Sequence, residues 1–64
     1  MAKVHNGIEY KGGEKVYATG TSRVGMVRGT VIGFTKSGQF KVEADSDTHV
    51  PGMVIRTHWV SPRD

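Results

Sequence analysis

The sequence predicts an all-β domain: a small closed or nearly closed barrel of five to six short antiparallel strands. The longest apolar run, Met26-Val27-Arg28-Gly29-Thr30-Val31-Ile32-Gly33-Phe34, is β-branched and glycine-punctuated. It suits a bent strand and penalises a helix, where each glycine costs about 1 kcal/mol relative to alanine. Gln39-Phe40-Lys41-Val42-Glu43-Ala44 alternates apolar and polar residues at the two-residue period of a half-buried strand. Short tight turns rich in glycine separate these segments, and no stretch carries a helical pattern.

Taken in order, Val4-His5-Asn6-Gly7-Ile8-Glu9-Tyr10 holds an Asn-Gly pair between apolar flanks. Both residues tolerate the positive φ of a type I′ turn, so a hairpin or arm is expected over residues 1–12, with Val4, Ile8 and Tyr10 facing the barrel. Lys11-Gly12-Gly13-Glu14 is a turn. Lys15-Val16-Tyr17-Ala18-Thr19 is a strand with Val16 and Ala18 on one face. Residues 20–25 form a polar loop bounded by glycines.

The central strand follows from about Met26 to Thr35 and is expected to curl at Gly29 and Gly33. Simple alternation places Val27, Gly29, Val31 and Gly33 on one face, and Arg28, Thr30, Ile32 and Phe34 on the other. Lys36-Ser37-Gly38 turns the chain, and Phe40, Val42 and Ala44 point inward on the next strand. Asp45-Ser46-Asp47-Thr48-His49 is a polar loop with local side-chain hydrogen bonds, and Pro51-Gly52 is another turn. Met53-Val54-Ile55-Arg56-Thr57 is a strand. His58 onward makes one tight turn and a short last strand. Residues 13–62 are thus expected to be the barrel, in a single domain.

Sixty-four residues allow one small core, and with no cysteine there is no disulfide or thiolate-bound metal to reinforce it. Absence of cysteine fits a reducing setting, so a cytoplasmic location is expected; no apolar run approaches membrane-span length, and the first residues lead into no signal-peptide core. Nine Lys and Arg against six Asp and Glu give +3. The excess lies in residues 1–44, at +4, while residues 45–64 carry −1. A bias of this kind is compatible with a polyanionic partner.

The order of Gly13-Glu14-Lys15-Val16, then Arg28-Gly29-Thr30-Val31-Ile32-Gly33-Phe34, Phe40-Lys41-Val42 and Trp59-Val60-Ser61-Pro62 resembles the SH3-like small barrels. It is most similar to the KOW-type branch found in NusG-type transcription elongation factors and certain ribosomal proteins. Glu14 stands where that family often has Asp, and Gly29-Thr30-Val31 matches its Gly-x-Val step. The resemblance spans residues 12–62 and implies a non-enzymatic module that binds nucleic acid or a host transcription or translation protein. A second resemblance is to the plasmid-borne, trimethoprim-insensitive dihydrofolate reductases, through the same start and Gly29-Thr30-Val31-Ile32-Gly33-Phe34. Their substrate-binding Val-Gln-Ile-Tyr stretch falls at Met53-Val54-Ile55-Arg56, which does not match it. The small size and the Met-Ala-Lys start also look like a phage- or bacterium-encoded accessory protein.

Catalytic and metal-binding patterns are weak. His5, His49 and His58 have no ligand-spaced partners. Asp45, Asp47 and His49 lack the terminal bidentate glutamate of a calcium loop. Ser22, Ser37, Ser46 and Ser61 sit in turn-like contexts without a base. Residues 20–25 lack the Lys-Ser end of a phosphate-binding loop. No cofactor is expected. Basic residues interleaved with aromatics remain: Arg23, Arg28, Lys36, Lys41 and Arg56 with Tyr17 and Trp59. Together they offer phosphate contact and base stacking from a loop and an outer sheet face. Two other readings are an adaptor docking on a host protein through Val24 and Met26, and an oligomeric NADPH-dependent reductase.

Overall fold

The computed structural model describes residues 3–19 and 25–63. All regular structure among them is β. Seven strands run in order: β1 Lys3–His5, β2 Ile8–Tyr10, β3 Lys15–Thr19, β4 Val27–Phe34, β5 Phe40–Ala44, β6 Val54–Thr57 and β7 Trp59–Pro62. β1 and β2 form a separate two-stranded sheet, and the other five form an antiparallel sheet in the order β6-β5-β4-β3-β7. The count exceeds the expected five to six because the arm is itself a strand pair. It turns at Asn6 and Gly7, whose φ values of 51° and 80° are both positive, as a type I′ turn requires.

The alternation read from the sequence becomes the core. Val16, Ala18, Val27, Val31, Phe40, Val42, Ala44, Ile55 and Val60 are buried on the inner face. Tyr10 joins them and packs edge-on against the Phe40 ring at 5.2 Å, so the hairpin covers part of the core. Val4 does not face inward as expected and is exposed, while Ile8 shares Tyr10's face but stays 38% exposed. The register pairs Val4 with Glu9 and Lys3 with Tyr10, which puts Val4 on the face opposite Tyr10.

Two features bend β4. The β4–β5 register shifts between Val31 and Gly33, a bulge at Ile32. It gives the strand an extra outward residue, so Phe34 swings inward against expectation. Phe34 pairs with Phe40 and packs beside its ring at 5.5 Å. Gly29 is the point of closest approach. A Cβ built there would lie 2.5 Å from the Glu43 carbonyl oxygen and 2.6 Å from Val42 Cγ1. Glycine lets β5 cross β4 at that distance.

β6 and β7 occupy opposite edges of the sheet, yet only His58 separates them. The sheet must therefore curl back on itself. No ladder joins β6 to β7; the seam is spanned by Thr57, which is 3% exposed. Its hydroxyl donates to the Thr19 carbonyl at 2.5 Å and accepts from the Trp59 amide at 3.0 Å. Ahead of β3, Glu14 accepts hydrogen bonds from the Lys11 and Gly12 amides at 2.8 and 2.7 Å. The Lys11 bond foremost holds the Glu14 carboxyl below the ordinary glutamate range; burial opposes it, and the Gly12 bond adds to the lowering.

Candidate nucleic-acid interface

The outer face of the five-stranded sheet carries the charged side chains, and register decides which of them meet. Arg28 sits opposite Tyr17 across β4 and β3. Its guanidinium is committed: Nη2 donates to Asp47 Oδ2 at 2.9 Å. The loop that brings Asp47 there is strapped to β4 by a bond from the Asp45 amide to the Arg28 carbonyl, 3.0 Å long. Asp45 accepts from Arg63 at 2.7 Å, half shielded from solvent. Thr48 caps the same loop by donating to the Asp45 carbonyl at 2.7 Å. The expected local hydrogen bonds are there, but both aspartates also reach distant arginines. Tyr17, Met26, Val27, Arg28, Asp47, Thr48 and His49 line a shallow cleft of about 310 Å³.

Lys41 and Arg56 are placed differently. They lie directly opposite each other across β5 and β6, on the outward face. Among the described residues no carboxylate comes within 4.0 Å of either. Like charges in facing positions of an antiparallel pair are destabilising. Glu43 shares their face two residues along, but it pairs with Val54 and Thr30. On its other side Lys41 lies over Gly33, its Cδ 3.9 Å from where a Cβ would be. The bare glycine leaves that lysine stem room to lie flat. Lys36 is exposed in the turn between β4 and β5.

Trp59 is 60% exposed on edge strand β7. The His5 ring meets it at 6.2 Å and 71°, and the same His5 ring contacts Phe40 at 5.6 Å. Lys3, with its ammonium 5.7 Å from the Phe40 ring centre, adds a cation beside this aromatic group that the sequence did not single out. Only the Asn6-Gly7 turn hinted at it, by folding the arm back. Of the seven residues singled out, then, the fold brings Lys41 to Arg56 and Tyr17 to Arg28. Trp59 is exposed on a separate strand, and Lys36 is exposed in its turn. Arg23, and Val24 of the adaptor reading, lie outside the described residues; Met26 is 66% exposed at the cleft.

Among the described residues no group of three or more His, Asp or Glu is gathered to hold a metal ion, and no helix is long and apolar enough to cross a membrane. The chain matches no family model, no curated protein and no solved structure.

Proposed function

We propose that this chain is a non-enzymatic SH3-like binding module of the KOW type, which engages the phosphate backbone of a nucleic acid through the outer face of β5 and β6. The observation that carries the reading is the facing pair Lys41, half-buried, and Arg56, exposed, both without a carboxylate partner among the described residues. Two cations held face to face cost stability in the free protein. A phosphate oxygen relieves that repulsion, and Arg presents a planar fork of donors suited to it. Lys36, one turn away, extends the basic surface. Arg28 is a lesser participant because Asp47 already neutralises it. The fold-family part of the reading draws support from the placement of its motifs. Lys15-Val16 begins β3, Gly29-Thr30-Val31 lies within β4, and Trp59-Val60-Ser61-Pro62 is β7, all in one sheet.

The test is a salt-resolved binding titration with labelled DNA and RNA oligonucleotides. Affinity falls steeply with salt, and Lys41→Ala and Arg56→Ala each reduce the slope of log K against log salt by about 0.7–0.9. Arg28→Ala has a smaller effect. Identical slopes in all three variants and the parent protein would remove this face from the site. Capture of one host protein with no affinity for nucleic acid would favour the adaptor reading.

A further inference from the structure

We infer that Trp59 is a stacking platform for an unpaired base, so that the polyanion taken by this surface is a single strand and not a duplex; this rests on the phosphate-binding reading above. Trp59 is the chain's sole tryptophan and stays 60% exposed, whereas the rings of Tyr10 and Phe40 are buried in the core. Its backbone is fixed on both sides. The amide donates to Thr57 Oγ1 at 3.0 Å, and the carbonyl accepts from Thr19 Oγ1 at 3.3 Å. The His5 ring stands nearly perpendicular to the indole, so at most one indole face is occupied by it. His5 in turn is edge-on to Phe40, which ties the platform to the core. The backbone that carries the indole is thus fixed before any partner arrives, and the His5 ring gives the indole one contact to lean on.

Position supplies the second half. Arg56 and Trp59 are three Cα steps apart, a separation of no more than about 11 Å. Both project outward, one from β6 and the other from β7. A strand whose phosphates lie on Lys41 and Arg56 therefore passes within a short step of the indole. In a duplex the base faces are covered by their neighbours and only phosphates are offered. In a single strand a splayed base can lie on the ring.

The experiment uses the full chain with labelled oligothymidylate, oligouridylate and a DNA duplex of equal length, followed by anisotropy and by the emission of Trp59. Either single strand, or both, quenches that emission and binds more tightly than the duplex. Trp59→Ala weakens single-strand binding about ten-fold or more, while duplex binding and the salt slope stay as they were. Trp59→Phe restores part of the loss, and a thermal melt of each variant verifies that it is folded. Equal affinity for single strand and duplex without quenching overturns the stacking platform and leaves the phosphate contacts standing. So does a folded Trp59→Ala protein that keeps its single-strand affinity. Failure of all three oligonucleotides to bind overturns the phosphate reading and this inference with it.

Discussion

Replacing Gly29 by alanine sets a methyl group 2.5 Å from the Glu43 carbonyl oxygen and 2.6 Å from Val42 Cγ1. The first neighbour is backbone in the middle of β5, so it cannot rotate away as a side-chain tip would. β4 and β5 must separate by several tenths of an ångström at the Gly29–Ala44 pair, where the inner face is fully packed. Overpacking of this kind costs about 1–3 kcal/mol. Removing a glycine from the unfolded chain returns about 0.4–1 kcal/mol. The net loss is about 1–2 kcal/mol, which for a domain of this size lowers the melting temperature by roughly 7–15 °C. Circular dichroism melts of Gly29→Ala and Gly33→Ala measure it. At Gly33 the nearest atom to a new Cβ is the flexible Lys41 Cδ at 3.9 Å, so that variant melts close to the parent protein. If Gly29→Ala also melts within about 2 °C of the parent, the close crossing of β4 and β5 does not exist as described.

Two further outcomes are expected. Thr57→Val keeps the shape of a buried side chain but strands the Trp59 amide and the Thr19 carbonyl, and should cost about 2 kcal/mol in urea unfolding, with Thr57→Ser close to the parent. Glu14 has its carboxyl held low by backbone amides, so its stabilising contribution is full above the ordinary glutamate range and is lost as pH falls through the depressed folded value. Glu14→Gln should therefore lower stability slightly at neutral pH and narrow the gap between neutral and acid stability, a small effect because the group is solvent-screened; paired urea titrations at neutral pH and about pH 3.5 measure that gap.

Much of the fold can be read from local pattern. The inward sets Val16 and Ala18, and Phe40, Val42 and Ala44, follow from alternation, and Asn6-Gly7 marks its turn. Local pattern fails where a long-range event intervenes. Parity places Phe34 on the outer face, and one extra residue at Ile32 reverses it; parity carries no trace of a bulge. Val4 and Ile8 are apolar, so composition favours their burial, but the hairpin register puts Val4 on the face opposite Tyr10, and Ile8, on Tyr10's face, sits beside the turn and stays 38% exposed. The candidate cations were identifiable as residue types. Their standing was not. Arg28 is neutralised by an aspartate nineteen positions away, whereas Lys41 and Arg56 face each other because of a register set by the whole β5–β6 hairpin.

The seam at Thr57 has a consequence for how the chain acquires its shape. β3 is flanked by β4 on one side and by β7 on the other, and β7 pairs Trp59 with Thr19 across forty positions of sequence. Until the final segment is in hand, the first strand of the main sheet keeps one row of amides and carbonyls without partners, a template for pairing with another chain. Its last ladder also closes the longest loop, which is the slow kind of contact to form. Synthesis from the amino end therefore leaves this sheet incomplete until β7 has been made, and the strand that completes it is the one that carries the indole.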